Sequence, residues 1–177
     1  MKTLLGILLF FTFNAYSHNN DKGKCNDKGN YNSKSKVKIV NNTGYECKFQ
    51  VQHKYTGGKT ESSKWVILKN GESAEVLKIH YNTGIFTTGV DNWVVNGIQK
   101  RPIDAKIKSV IGSADINGQT EVNYHSGVGV LSSWKAHTLR SEDNQKTTVI
   151  TINPRTVEFK SKSGTSSCGW VAEYEIF

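Results

Sequence analysis

Five histidines, fifteen carboxylates, three cysteines and four tryptophans are the residues of this 177-residue chain that could carry chemistry. The histidines are His18, His53, His80, His125 and His137, and none forms an H-x-H or H-E-x-x-H pair. Metal binding and triad catalysis need side chains that converge, so these spacings argue for no metal and no cofactor. His53 follows the face of Phe49 and Val51 and is expected to point inward as a hydrogen-bonded core residue. His80 alternates with Ile79 and is expected outside. Asp91, in Gly89-Val90-Asp91-Asn92-Trp93, reads as a turn carboxylate; a hydrolase would need a partner such as Asp104, Asp115 or Glu121 at a defined separation. Asp115-x-Asn117-Gly118 has the start of a calcium loop without its later glutamate. No Gly-x-Ser-x-Gly elbow, phosphate-binding loop or dinucleotide fingerprint occurs. The chemistry is therefore expected to be binding, not catalysis.

Aromatic side chains are the better candidates. Trp65, Trp93, Trp134 and Trp170 accompany seven tyrosines, and such rings stack on sugars or lie among lipid headgroups. Trp93 follows a turn, so a ligand-binding surface is expected around Trp93, Tyr81, Tyr55, Asp91 and Lys54. The net charge of +8 directs that surface toward acidic partners, an anionic glycan or a membrane surface, with no specific nucleic acid expected.

These residues must be held by strands. Tyr45, Cys47, Phe49, Val51, His53 and Tyr55 share one parity, and Glu46, Lys48, Gln50, Gln52 and Lys54 the other, the period of a half-buried strand. Val37 to Val40 alternates likewise and is joined to it through Asn41-Asn42-Thr43-Gly44. Asn70-Gly71 marks a tight turn between Trp65–Leu68 and Leu77–Tyr81. Thr147–Ile152, Thr156–Lys160 and Gly169–Phe177 read as closing strands, with Asn153-Pro154-Arg155 turning the first into the second. Residues 99–136 are the least regular, and Trp134–Leu139 reads as the one short helix. About seven to nine short strands separated by turns predict an all-β fold, an antiparallel β-sandwich.

Around this domain, Leu4–Phe13 after Lys2, then Ala15-Tyr16-Ser17, have the layout of a secretory signal over residues 1–17. The apolar run is about half the length of a membrane-spanning helix. Its removal takes away Lys2 and lowers the net charge from +8 to +7. Residues 18–36 hold five lysines, two aspartates and no aliphatic residue, so a disordered basic tail is expected before a domain at 37–177. An extracellular destination favours disulfides, and Cys47–Cys168 is the favoured pair, with Cys25–Cys47 its competitor. Under the first pairing Cys25 is free to link two chains. Asn41, in the sole N-x-S/T site, is the expected glycan acceptor.

Two blocks carry a resemblance. The first runs through Val37, Ile39-Val40-Asn41-Asn42-Thr43-Gly44, His53-Lys54-Tyr55, Trp65, Gly71-Glu72-Ser73, Tyr81-Asn82-Thr83-Gly84 and Asp91-Asn92-Trp93-Val94-Val95. The second holds His137, Leu139, Ser141-Glu142-Asp143-Asn144, Val149, Ile152, Val157, Phe159, Ser163-Gly164-Thr165-Ser166 and Gly169-Trp170. Together they resemble the "up-regulated in daf" domain family over roughly residues 37–98 and 134–171. That family is named for an expression pattern, and the resemblance brings no enzymatic activity and no agreed binding residues. Its members often carry a long Gly/Ala-rich apolar insert between the blocks, where this chain has a short polar stretch at about 99–133. A membrane-active protein and a hydrolase acting through Asp91 are the alternatives to a secreted binding module.

Overall fold

A computed structural model describes residues 31–56, 59–84, 89–102, 119–127 and 134–173. The fold is all-β. Its strands are β1 (Ser33–Asn41), β2 (Cys47–Tyr55), β3 (Thr60–Ser62), β4 (Val66–Leu68), β5 (Ser73–Tyr81) and β6 (Asp91–Pro102). They continue with β7 (Gln119–Gly127), β8 (Lys135–Ala136), β9 (Thr147–Ile152), β10 (Thr156–Lys160) and β11 (Thr165–Glu173). They form one sheet in the order β3-β2-β6-β7-β11-β10-β9-β1-β5, with β4 also on β2 and β8 on β6. Every pairing is antiparallel except β1 with β9. The ends of the sheet come together, β2 and β4 touching β5, so the sheet curls like a barrel round its core. The strand count exceeds the expected range through β3, β4 and β8, each only two or three residues long.

Parity places the core. In β2 the odd positions Cys47, Phe49, Val51, His53 and Tyr55 are all buried, and in β1 the odd positions from Ser33 to Asn41. They meet Ile79 and Tyr81 of β5, Trp93 and Val95 of β6, Ile150 and Ile152 of β9, and Val157 and Phe159 of β10. Burying each such side chain contributes roughly 1.5–3 kcal/mol. Gly97 of β6 serves close approach: a Cβ there would stand 2.6 Å from the Trp170 ring, which stacks on Tyr124 at 5.3 Å. Gly71, at φ +84°, makes the predicted Asn-Gly turn.

Two expectations change. The domain begins before Val37, because β1 starts at Ser33. Its first inward positions are serines: Ser35 Oγ donates to the Lys146 carbonyl at 2.9 Å and lies 3.3 Å from Thr148 Oγ1. The predicted helix at Trp134–Leu139 is instead β8 and an extended segment. The His137 amide donates to the Asp91 carbonyl, the Leu139 amide to Asp91 Oδ2, and Trp93 Nε1–H to the His137 carbonyl. Those partners lie outside the segment, so its backbone bonds to β6 and leaves no helical ladder. The helical element described is a single 3-10 turn, Ser141–Asp143. The stretches 103–118 and 128–133, with Ala105–Ile111 and Asp115, lie outside the described residues.

Candidate functional site

Inside the sheet, one chain of polar groups runs from surface to core. His53 Nε2 lies 2.7 Å from Asp91 Oδ1, and its Nδ1 lies 3.2 Å from Glu61 Oε2. Glu61 Oε1 in turn lies 3.0 Å from His80 Nδ1, and Oε2 accepts the His80 backbone N–H at 3.2 Å. Glu61 belongs to β3 and His80 to β5, the two ends of the sheet order. Its carboxylate therefore takes the place of a missing ladder partner and ties the seam. The second Asp91 oxygen accepts the Leu139 amide at 2.8 Å, which fixes the segment after β8. Trp93 lies against the His53 ring, 4.6 Å between centroids.

Burial alone pulls the His53 imidazole toward neutrality, but hydrogen bonds to Asp91 and Glu61, with their charges, outweigh it and leave the pKa raised. Burial pushes Glu61 up, yet its bonds to His53 and His80 prevail and hold it below the usual carboxylate range. His53 is thus clamped between two carboxylates that favour its protonated form. Acid–base catalysis needs a nitrogen or oxygen facing substrate. Here both His53 nitrogens and both Asp91 oxygens are bonded within the fold, and each side chain is only 1% exposed. Among the described residues, no three His, Cys, Asp or Glu side chains are arranged to hold a metal ion. His137 is a separate buried histidine: burial lowers its pKa, its Nδ1 lies 3.0 Å from Ser166 Oγ, and its Nε2 has no partner among the described residues.

The aromatic platform expected from the sequence does not assemble. Trp93 is fully buried, directly opposite His53 in the ladder. Tyr81 is fully buried too; its hydroxyl donates to the Arg140 carbonyl, and burial pushes the phenol well up. Tyr55 is buried and donates to the Asn82 carbonyl at 3.2 Å. Asp91 lies inside with them, while Lys54 faces solvent on the other side of β2. Parity separates these residues, and only the buried four come together.

The expected Cys47–Cys168 bridge is not formed in the structure: both side chains are buried and not joined to each other. β6 and β7 stand between their strands in the sheet, and a disulfide needs Cα atoms about 4.4–6.8 Å apart. Cys47 Sγ instead lies 3.2 Å from Thr43 Oγ1, and burial raises the Cys168 thiol. Cys25 lies outside the described residues. Asn41 is fully buried, and its amide nitrogen donates to the Tyr45 and Leu68 carbonyls, both at 2.8 Å. A glycan would replace one hydrogen of that nitrogen and break one of these bonds, and the fully buried side chain leaves no room for it in the folded domain.

The outer surface offers a different arrangement. The even positions of β1 carry Lys34, Lys36 and Lys38, and the register sets Lys34 beside His80 and Lys36 beside Lys78 of β5. On the other flank Lys38 aligns with Val149 of β9, and Val149 with Lys160 of β10. Lys146 follows at the start of β9, its carbonyl accepting the Lys36 amide. Glu75, 3.0 Å from Lys36 Nζ, and Glu158 are the acids on these strands. A hollow of about 410 Å³ opens here, lined by Lys34, Ser35, Lys36, Lys78, His80 and Gln145. A smaller one of about 240 Å³, at the β2–β6–β7 end, mixes Lys48 and Lys100 with Glu46 and Glu121.

Sequence reasoning found the inward turn of His53 but missed Glu61, whose Thr60-Glu61-Ser62 surroundings carry no apolar signal. It also missed that β1 and β5 gather their lysines, since register between strands is invisible along one of them. No curated protein matches the chain. The model of the family described as Up-Regulated in long-lived daf-2 matches residues 31–170, from the residue before Asn32 to the buried Trp170. The chain belongs to the Up-Regulated in long-lived daf-2 family.

Proposed function

We propose that the chain is an exported, non-enzymatic binding protein whose basic outer face on β5, β1, β9 and β10 holds an anionic glycan. The observation that carries this reading is the lysine-lined hollow between β1 and β5. Like charges placed directly across a ladder repel, and Lys36 beside Lys78 is such a pair, relieved on one side by Glu75. A polyanion would relieve the rest. Apart from the His80 imidazole and the lysine stems, the described lining residues include no aromatic or aliphatic side chain, which favours a sugar polymer over a lipid tail. The leader-like segment over residues 1–17 supports export. Hydrolysis through Asp91 gains no support from a carboxylate bonded on both oxygens.

The test is retention on a sulfated-polysaccharide matrix. The expected result is elution in a salt gradient, moved to lower salt by Lys34→Gln with Lys78→Gln, because screening weakens exposed charge contacts. Retention that ignores salt would count against it. A second reading, docking on an anionic bilayer, is favoured by exposed Trp65 and Ile67 beside β2, with Lys48 Nζ 5.4 Å from the Trp65 ring centroid. Sedimentation with phosphatidylserine vesicles, lost in Trp65→Ala and kept in the lysine variant, would favour that reading.

A further inference from the structure

The β1–β5 hollow has features that a merely basic strand face does not require. Its four basic side chains form a two-by-two block, Lys34 opposite His80 and Lys36 opposite Lys78. Opposed residues in an antiparallel pair carry Cβ atoms about 4.5–5.5 Å apart, so the block is about the size of one small anion. Glu75 occupies Lys36, which leaves Lys34 and Lys78 as the cationic arms with no ion pair among the described residues. Glu61 holds His80 by Nδ1 and by its backbone amide, so the ring is fixed and Nε2 is the atom left to a ligand. Among the described residues, no carboxylate lines the hollow.

The rim adds a second, independent feature. Gln145 is the one non-glycine described with positive φ, at 60°. Its amide donates to the Lys34 carbonyl at 2.7 Å, and the neighbouring Asn144 Oδ1 accepts the Lys34 amide at 3.1 Å. A side chain other than glycine, asparagine or aspartate in this region is uncommon unless its surroundings hold it there, a pattern that clusters at ligand clamps. Here the left-handed turn brings an amide side chain, donor and acceptor at once, to the edge of the lysine block.

We propose that this hollow is a subsite for a single tetrahedral oxyanion ester, a sulfate or phosphate monoester carried on a sugar. Lys34 and Lys78 supply the charge-assisted contacts, His80 Nε2 and the Gln145 amide supply directional ones, and Lys36 remains with Glu75. The inference rests on the anionic-glycan reading and narrows it to the group recognised.

The experiment titrates the full folded chain with glucose 6-sulfate, glucose 6-phosphate and inorganic sulfate, followed by calorimetry and by amide shifts. The expected result is saturable one-to-one binding of at least one ester, competed by inorganic sulfate. Lys34→Gln and Lys78→Gln should each weaken it roughly tenfold, the scale of one hydrogen bond between charged groups. Gln145→Gly, which relaxes the turn and removes the amide, should weaken it less. Lys100→Gln at the mixed-charge hollow should leave it unchanged. The tighter ester names the source of the group. No saturable binding of either ester, or binding indifferent to Lys78→Gln, overturns the subsite. Failure of the subsite with salt-sensitive retention on the sulfated matrix intact leaves the broader reading standing. Ester binding without such retention overturns the broader reading alone.

Discussion

The molecule treats its charges in two opposite ways. Inside, His53 stands between Asp91 and Glu61, and each oxygen of these carboxylates and each nitrogen of His53 has a partner. Outside, Lys34 and Lys78 share a hollow with no carboxylate among its described lining residues. A buried charge without a partner is too costly to keep. An exposed one costs little, because water and salt screen it. The interior network therefore reads as scaffold, and the unbalanced charge is where an external ligand gains most. The smaller hollow at the β2–β6–β7 end, with lysines and glutamates together, has no such excess.

Removing an interior partner should have the largest effect. Asp91→Ala leaves His53 Nε2 and the Leu139 amide without their acceptors, and about 3–5 kcal/mol of stability should be lost. Urea unfolding measures it; a loss under about 1 kcal/mol would mean that the network is not scaffold. Next comes Gly97→Ala, whose Cβ would stand 2.6 Å from the Trp170 ring, with an expected cost of about 1–3 kcal/mol and a changed tryptophan emission.

Glu61→Gln keeps the shape of the seam and removes its charge, and its signature lies in pH. The His53 pKa is raised above 6.5, so its contribution is full below that value and is lost as pH rises through the folded value. The Glu61 pKa is lowered from 4.5, so its contribution is present above that value and is lost as pH falls through the folded value. Thermal midpoints should accordingly be highest between these limits, with a shoulder on each side. Glu61→Gln should remove the acid shoulder that Glu61 contributes and shrink the alkaline one. An unchanged profile would break the assignment of the seam to these groups.

Exposed substitutions should be the gentlest. Lys78→Gln should shift stability by no more than about 0.5 kcal/mol while lowering the salt at which the protein leaves a sulfated matrix. A reducing agent should leave the melting temperature of the domain where it was, since no Cys47–Cys168 bridge joins β2 to β11. A drop of several degrees would reinstate the disulfide.

How much of this was readable beforehand follows from parity. β2 alternates cleanly, so its inward face, His53 included, was legible from one strand alone. The Asn70-Gly71 turn was legible because its backbone needs a glycine. β1 was read only from Val37, since its earlier inward positions are serines satisfied by hydrogen bonds, and no hydrophobic signal marks them. Trp93 was misplaced because Trp93-Val94-Val95 is apolar at every position; Val94 is buried as well, which erases the alternation. Asn41 continues the inward parity of Val37 and Ile39, and that pattern outweighs the glycosylation motif. The β1–β5 lysine block depends on register, and neither strand encodes its partner's offset.

The most direct measurement is a map of backbone amide shifts as a sulfated oligosaccharide is titrated into the protein. The account predicts saturable changes concentrated at Lys34–Lys38, Lys78–His80 and Gln145–Thr147, with the His53 and Asp91 amides little moved. Shifts centred on Trp65–Ile67, or none that saturate, would contradict it.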